Sequence, residues 1–240
     1  MTDINTYKPE YYRNGKSSYS IYNPKFSEKE QDNPLDTLFP KLPNKKYSVI
    51  YADPPWHYNG KMQYDKSGKV DCNKNWEKGI FISSACFKYP TVKTKDLMKL
   101  NIPDILENDS LLFMWTTNPH LSQAIDLGKS WGFDYKTVAF VWNKMNHNPG
   151  QYTLSYCEMC LLFKKGRIPR PRGARNIKQL IEMPRRKHSE KPEQVADGIE
   201  KMFPTQSKIE LFARNRRKGW DSWGLDALMQ PVDIQYRAGK

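Results

Sequence analysis

The chain has 240 residues and a formal net charge of +13 at pH 7, from 39 Lys and Arg against 26 Asp and Glu. Its length fits one domain with an additional arm. A mean hydropathy of −0.82, without an apolar run near the ~20 residues that span a bilayer, argues against a membrane protein. No signal-peptide core is visible and the four cysteines are too few for a disulfide framework, so we expect an intracellular protein. The excess positive charge favours a polyanionic partner such as nucleic acid.

The first third of the chain predicts an arm, one strand and a long loop. Residues 1–45 are polar and lack a clear period, which is typical of a loosely ordered arm. The β-branched and aromatic residues 47–52 predict a buried strand, which ends at Asp53-Pro54-Pro55-Trp56 because proline cannot continue a central strand. Residues 57–89 contain three glycines among Lys, Asn and Asp, and predict a long loop of the kind that is functional or disordered.

Strands and helices alternate through the rest of the chain. The predicted elements are a helix over 94–100, a strand over 110–115, a helix from 121 that ends at Gly132, strands over 137–142 and 158–164, a helix that begins at Pro192 and a strand over 208–212. This alternation indicates an open α/β sheet. We assign residues 1–45 to an N-terminal arm, 46–230 to the main domain and 231–240 to a tail.

The cysteine and histidine positions do not predict a metal site. Cys157 and Cys160 form a single C-x-x-C pair, whereas a structural zinc site needs a second pair of ligands at a suitable spacing. Cys72 and Cys86 are 14 residues apart, and the four histidines are scattered. Because residues three apart in a strand point to opposite faces, we interpret the pair as core packing, with metal binding or redox chemistry as the alternative.

The sequence Asp53-Pro54-Pro55-Trp56 carries the strongest chemical signal. Ligands of open α/β sheets bind at the carboxyl ends of the strands, where this sequence is predicted to lie. The two prolines fix the directions of the Asp53 carboxylate and the Pro54 carbonyl, which can accept both N–H bonds of an exocyclic amino group. Trp56 offers a flat face on which a base can stack, worth roughly 1–3 kcal/mol. The alternative is a proline-stiffened turn with an exposed tryptophan.

Residues 51–56 resemble the catalytic signature of the MT-A-type N6-adenine methyltransferases. This family includes eukaryotic mRNA adenosine methyltransferases and bacterial and phage DNA adenine methyltransferases. The resemblance covers roughly residues 46–227, with matching blocks at 88–91, 111–115, 131–133, 141–144, 158–162, 188–192, 210–214 and 220–224. The number and order of these blocks make the assignment specific, whereas the tetrapeptide alone does not.

The resemblance implies an α/β, Rossmann-like fold of S-adenosylmethionine-dependent methyltransferases with a permuted, beta-class motif order. In that order the catalytic strand precedes the part of the chain that completes the cofactor site. The catalytic residues expected by resemblance are Asp53, Pro54, Pro55 and Trp56. S-adenosylmethionine is the expected cofactor, and its reaction is an in-line displacement from a sulfonium ion, so no metal is expected.

By resemblance, the residues expected at the S-adenosylmethionine site are Asp36, Asp53, Lys191, Glu210, Phe212, Arg214, Arg217 and Asp226. Glu210 is expected to hold the ribose hydroxyls, and Arg217 to lie near the carboxylate of the cofactor. Without the resemblance, Lys191 is interpreted as a solvated residue at a helix start and Phe212 as strand packing. Leu225 departs from the family pattern, because a hydrogen-bonding side chain is usual there.

Two segments are expected to bind the substrate. The loop after the catalytic motif is expected to close over a flipped base, and residues 150–153 occupy a second family loop near the site. Residues 164–187 contain ten basic residues and one acidic residue, which favours a mobile loop that follows the phosphates, with a solvated charged face as the alternative. The expected substrate-binding residues are Trp56, His57, Tyr58, Asn59, Arg185, Arg186 and Lys187.

The function that follows is methylation of the N6 amino group of adenine in nucleic acid. DNA is the preferred substrate because the compact core and short flanks are typical of bacterial or phage enzymes, and RNA is the alternative. A catalytically silent nucleic-acid-binding partner subunit, or methylation of a protein or small-molecule amine, are further alternatives. We expect loops or a partner subunit, in a homodimer or heterodimer, to choose the target. We expect no membrane association and a location in the cytoplasm of a bacterium or phage host, or in the nucleus if the source is eukaryotic.

Overall fold

The computed structural model describes residues 39–57, 92–148, 152–185 and 190–224. Of the residues predicted to act at the site, those outside these ranges are Asp36, Tyr58, Asn59, Arg186, Lys187 and Asp226. Most of the predicted arm, the loop after the catalytic motif and the tail also lie outside them. The chain forms two compact units, one from Met1–Pro34 and Pro55–Lys93 and the other from Leu35–Pro54 and Thr94–Lys240. All helices and strands named below belong to the second unit.

Every strand and helix predicted from the sequence is present. The strands are β1 (Tyr47–Ala52), β2 (Leu106–Thr116), β3 (Asp134–Asn148), β4 (Ser155–Lys165), β5 (Leu180–Glu182), β6 (Lys208–Leu211) and β7 (Asp221–Trp223). The α-helices are α1 (Thr94–Leu97), α2 (Leu121–Ser130) and α3 (Glu193–Met202), and short 3-10 helices span Ile102–Ile105 and Asn118–His120. The sequence does not predict β5 and β7, because three residues are too few to show a period.

The strands form one sheet in the order β5-β3-β4-β2-β1-β6-β7. β4 is antiparallel to both of its neighbours, and the other pairs are parallel. This mixed sheet with helices confirms the predicted α/β class. Since β4 runs against the other strands, it begins at the edge where the parallel strands end, hereafter the carboxyl edge. It finishes at the opposite side, hereafter the amino edge.

The strand β1 lies in the middle of the core. Val49, Ile50 and Ala52 are fully buried, which explains why residues 47–52 read as a continuous apolar run rather than an alternating pattern. The Trp115 Nε1–H donates to the Tyr51 hydroxyl at 2.6 Å, so two buried aromatic residues satisfy each other's polar atoms. The strand therefore reaches the carboxyl edge as a rigid element.

The helices pack on the sheet at positions that their sequence dictates. A Cβ at Gly128 of α2 would lie 2.3 Å from the Phe163 ring, so the close approach of helix and strand requires glycine there. The helix is followed by Gly132 with φ of 85°, the left-handed conformation that ends many helices. Val195 and Ile199 of α3 are fully buried against the core. None of the helices in the described ranges is long and apolar enough to cross a membrane.

Candidate active site at the carboxyl edge of the sheet

The predicted catalytic carboxylate, Asp53, directly follows β1 at the carboxyl edge. Its Oδ1 lies 3.0 Å from Lys191 Nζ, and its Oδ2 lies 3.9 Å from Arg214 Nη2. Lys191 precedes α3, and Arg214 follows β6, which is the parallel neighbour of β1. The structure thus brings together three of the residues that the sequence assigns to the methyl-transfer site. The Asp53 side chain is 21% exposed, so a ligand can reach it.

A second carboxylate, Glu158 of β4, connects Lys191 to a buried lysine of β3. Glu158 Oε2 lies 3.2 Å from Lys191 Nζ, and Oε1 lies 3.3 Å from the Nζ of Lys144. The Lys144 side chain is 2% exposed. Lys191 Nζ also lies 5.5 Å from the centre of the Trp115 ring, at cation–π distance. The four charged residues Lys144, Glu158, Lys191 and Asp53 form a continuous chain, hereafter the charge network.

Burial disfavours the charged forms of Glu158 and Lys144 in the charge network, and their ion pairs favour those forms. Burial by itself would raise the pKa of Glu158, but Lys191 and Lys144 bring that pKa below its ordinary value. Burial lowers the pKa of Lys144; Glu158 opposes this decrease, and Arg185 adds to it. Removing one partner from such a pair leaves an uncompensated buried charge, which is strongly unfavourable. The pairing therefore restricts the position of the Lys191 side chain beside the Asp53 carboxylate.

Glu210 of β6 is the second acidic residue beside β1. It pairs in register with Tyr51, its side chain is 19% exposed, and its Oε2 lies 3.8 Å from Arg217 Nε. Burial raises the pKa of Glu210 from 4.5 to about 7, although Arg217 opposes the increase. Burial, reinforced by the Glu210 charge, also raises the pKa of Tyr51, which keeps the phenol protonated. A carboxyl group that titrates near neutrality can both accept from and donate to a hydroxyl group of a ligand.

Arg217 lies between two carboxylates. Its Nη1 pairs with Glu193 in the first turn of α3, while its Nε faces Glu210. Within the described ranges the buried Nε makes no hydrogen bond. A buried donor without an acceptor is costly, and such atoms are often satisfied by a ligand or water. The predicted cofactor contact of Arg217 stays a prediction, and this donor is the atom that it would use.

The turn after β6 holds the predicted cofactor residue Phe212. Its φ of 60° is the left-handed conformation, which aromatic residues rarely adopt and which occurs preferentially at functional sites. The ring contacts Phe39 at 5.5 Å and Trp223 at 5.4 Å between centroids. At Gly224 a Cβ would lie 2.5 Å from the Ala213 nitrogen, so only glycine allows this close backbone approach. Because β6 ends at Leu211, Phe212 lies in the turn and does not pack within the strand.

Trp56 and His57 belong to the other compact unit and are described there alone. Trp56 forms an isolated bridge with Val92, and the Val92 N–H donates to the Pro55 carbonyl at 2.7 Å. Trp56 is 5% exposed, so its indole is buried. Burial of this large apolar ring is favourable by itself. A stacking role for Trp56 and a substrate contact for His57 stay predictions.

The position of the basic stretch 164–187 corrects the sequence interpretation. Because β4 ends at the amino edge, Lys165 pairs with Ser110 there, at the opposite side of the sheet from Asp53. Residues 171–174 then contact the end of α3 and the turn after it, and β5 returns along β3 toward the carboxyl edge. The described part of the stretch is thus anchored to the core rather than being one mobile loop. Arg185, after β5, is the described member that comes close to the charge network.

The structure places Cys160 in the core, as the sequence predicts, but not Cys157. Cys160 is fully buried within the main hydrophobic cluster, and Cys157 is partly exposed on the same strand. In the part of the chain that the structure describes, no group of three His, Cys, Asp or Glu residues is arranged to hold a metal ion.

Sequence reasoning missed Lys144 and Glu158. Both belong to blocks that carry the family resemblance, but neither was assigned a role. A signal was present, because each charged residue lies within a strand, at the end of an apolar segment. Charged residues in that setting are buried only when they are paired.

Comparisons with known proteins agree with this geometry. A family model described as MT-A70 matches residues 47–226, a range that includes Asp53, the charge network, Glu210 and Arg217. The chain is 59% identical over 221 residues to the type II methyltransferase M.MunI of Mycoplasma sp, covering 92% of this chain and 95% of that protein. It is 29% identical over 195 residues to the N(6)-adenosine-methyltransferase subunit METTL3 of Danio rerio, covering 75% of this chain and 28% of that protein. The human catalytic subunit METTL3 is 27% identical over the same length, again with 28% of that protein covered. The chain belongs to the MT-A70 family of methyltransferases.

Proposed function

We propose that this protein transfers a methyl group from S-adenosylmethionine to the exocyclic N6 amino group of adenine in DNA. The observation that carries the proposal is the Asp53 carboxylate, followed by two prolines at the end of β1 and paired with Lys191 at 3.0 Å. The printed names of the METTL3 relatives support N6 of adenosine as the acceptor. The likeness to M.MunI, a type II methyltransferase of similar length, supports a bacterial enzyme that acts on DNA.

The residues at the carboxyl edge fit S-adenosylmethionine. When bound, this cofactor supplies an electrophilic methyl group on a sulfonium ion. Glu210, with a pKa of about 7, is suited to the ribose hydroxyls. Arg214 and the unsatisfied buried Nε of Arg217 are suited to the carboxylate of the cofactor. These residues follow the catalytic motif in the chain, and this order supports the permuted, beta-class arrangement as part of the proposal.

Asp53 and Pro54 would position the acceptor amino group. As a carboxylate, Asp53 only accepts hydrogen bonds, and the adjacent Pro54 carbonyl is a second acceptor. When both N–H bonds point to these acceptors, the nitrogen lone pair turns out of the adenine ring system and toward the incoming methyl group. Such positioning can supply about 7–11 kcal/mol of the barrier reduction. After transfer, the extra proton on nitrogen leaves to Asp53 or to water.

The charge network is proposed to keep Asp53 in that orientation. Lys191 holds Oδ1 at hydrogen-bond distance, while the 3.9 Å contact of Oδ2 with Arg214 is too long for a hydrogen bond and acts through charge. Glu158 in turn fixes Lys191. We therefore assign Lys191 to the active site and Glu158 to a positioning role.

RNA is the second candidate substrate, favoured by the names of the METTL3 relatives. DNA is preferred because this chain is 59% identical to M.MunI over 95% of that protein, but 29% identical to METTL3 over 28% of that protein. A silent partner subunit would not need the arrangement around Asp53. We expect the protein to work in the bacterial cytoplasm, where its DNA substrate is found.

A transfer assay with a labelled methyl donor tests the proposal. The full chain is incubated with matched DNA and RNA of one sequence, each single- and double-stranded. We expect label in DNA from the unmodified protein and from Asp134→Asn, whose side chain is 81% exposed at the amino edge. Asp53→Asn should lose at least 99% of the activity while its thermal unfolding is retained. Label in RNA alone would transfer the proposal to RNA, and equal activity of Asp53→Asn would remove the catalytic assignment.

A further inference from the structure

The hairpin between β3 and β4 extends beyond the carboxyl edge of the sheet. The last pair between β2 and β4 joins Thr116 to Met159, so the residues of β4 before Met159 extend beyond the end of β2. β4 begins at Ser155, four residues earlier, which at ~3.3 Å per residue extends the hairpin by about 13 Å. The projecting residues 145–148 and 152–157 are hereafter the hairpin arm. Glu158 of the charge network immediately follows it.

The hairpin arm has a defined bulge on its β3 side. Asn143 pairs with Cys157 and Asn148 pairs with Ser155, so four residues of β3 oppose one residue of β4. Met145 within the bulge has φ of 54°, and its N–H donates to Asn143 Oδ1 at 3.0 Å. A second side-chain amide, that of Asn146, accepts from the His147 N–H at 2.8 Å. Bulges beside active sites commonly redirect side chains, and here two amides fix the bulge.

Aromatic rings on the hairpin arm face solvent. Tyr152 is 91% exposed, Tyr156 is 43% exposed, and His147 is exposed with its ring centroid 5.4 Å from that of Tyr156. Exposed aromatic residues gathered on one projecting element are typical of a binding surface.

The charge of the hairpin arm distinguishes it from the rest of the protein. Residues 145–157 contain no Asp, Glu, Lys or Arg, whereas 27% of the whole chain is charged. A neutral surface does not neutralise phosphates, so its contacts would be with base edges, base faces or methyl groups. A two-stranded β-ribbon fits the major groove of DNA, where such side chains distinguish base pairs.

We propose that the hairpin arm enters the groove of the substrate DNA and reads bases beside the target adenine, mainly through His147, Tyr152 and Tyr156. This inference rests on the proposed function and adds the source of target choice. The arm is close to the catalytic residues, because Glu158, the residue that follows it, contacts Lys191, which contacts Asp53. Asn118, which follows β2, donates from Nδ2 to Ser155 Oγ at 3.4 Å, and this contact connects the base of the arm to the same edge.

Selection from a DNA pool tests the inference independently of turnover. The full chain is mixed with duplexes that hold one adenine flanked by random base pairs, and the bound fraction is sequenced. We expect the unmodified protein to enrich particular flanking bases. His147→Ala and Tyr152→Ala should each lower that enrichment at least fivefold at one or more positions, because a good base contact discriminates about 5- to 150-fold. Their unfolding temperatures should stay unchanged, since both side chains are exposed.

Two matched variants separate base reading from other effects. Ile168→Ala removes an exposed apolar side chain, 42% accessible, at the amino edge and should leave the enrichment unchanged. Arg185→Ala should weaken binding of all sequences alike and reduce the slope of log K against log salt by about 0.9, whereas the arm variants should keep the slope.

Three results would overturn the inference. In the first, the unmodified protein enriches no flanking base. In the second, the arm variants enrich flanking bases as strongly as the unmodified protein. In the third, sedimentation shows that the unmodified protein is a dimer and that the arm variants are monomers. The last result would assign the arm to contact between two copies of the chain. Methylation of the same pool is measured separately, so that absent transfer would count against the proposed function and not against the arm.

Discussion

Glu210→Gln should stabilise the fold above neutral pH while it impairs function. The pKa of Glu210 is raised by burial from 4.5 to about 7, so the folded state binds a proton that the unfolded chain has already lost. For an acid with a raised pKa, stability is fully present below pH 4.5 and is lost as the pH rises to about 7. The glutamine keeps the shape of the side chain and cannot ionise, so it escapes this loss.

The magnitude follows from the size of the pKa shift. The rise of the Glu210 pKa from 4.5 to about 7 corresponds to about 3 kcal/mol when fully expressed. The attraction of Arg217 is already contained in the raised pKa, so its loss in the variant is not an additional cost. Linkage gives an advantage for Glu210→Gln of about 1 kcal/mol at pH 5 that grows to about 3 kcal/mol at pH 8. For a chain of this length, that difference is roughly 4–8 °C in unfolding temperature.

Thermal unfolding by circular dichroism at pH 5, 6, 7 and 8 measures this advantage. We expect the difference in unfolding temperature between Glu210→Gln and the unmodified chain to increase steadily over that range. Glu107→Gln serves as the control, because Glu107 is exposed near the start of β2 and should give no trend. A constant difference, or a variant that is less stable at pH 8, would refute the burial argument. In the same variant, affinity for the methyl donor should fall about tenfold, because the ligand hydroxyls lose a strong acceptor.

Three further variants test other parts of the structure. Glu158→Gln should lower kcat/KM about tenfold or more and destabilise the fold by about 3 kcal/mol. The double variant with Lys144→Met should regain the lost stability but not the turnover. Chemical denaturation measures the stability, and single-turnover assays measure the turnover. Gly224→Ala should cost about 1–3 kcal/mol in urea unfolding, since its Cβ would meet the Ala213 nitrogen at 2.5 Å; an unchanged midpoint would contradict the close approach. Lys208→Met should cost about 1–3 kcal/mol, because the buried Nζ donates at 2.8 Å to the carbonyls of both Phe203 and Gln206.

Local patterns are sufficient to predict most elements and the position of Asp53 after a buried strand. The apolar run of β1 and the prolines after it place Asp53 at a strand end without any knowledge of the neighbours. Gly132 after α2 and Pro192 before α3 mark helix boundaries in the same local way. These predictions hold because each depends on residues that are close in sequence.

The contacts of the charge network could not be predicted in this way. Glu158 and Lys191 are 33 residues apart, and they meet because β4 lies beside β3 and the chain returns to the carboxyl edge before α3. The position of the basic stretch 164–187 depends likewise on the direction of β4. No residue in a strand encodes whether it runs parallel or antiparallel, so the sequence does not show that β4 ends, and the basic stretch begins, at the amino edge.

Nucleoside analysis of methylated DNA tests the central claim most directly. DNA is incubated with the protein and an isotopically labelled methyl donor, digested to nucleosides and separated by mass spectrometry. The arrangement of Asp53 and Pro54 predicts that all label from the unmodified chain appears in N6-methyldeoxyadenosine and that Asp53→Asn yields none. Label in a methylated cytosine, on a ring nitrogen of adenine, or in equal amount from Asp53→Asn would contradict the claim.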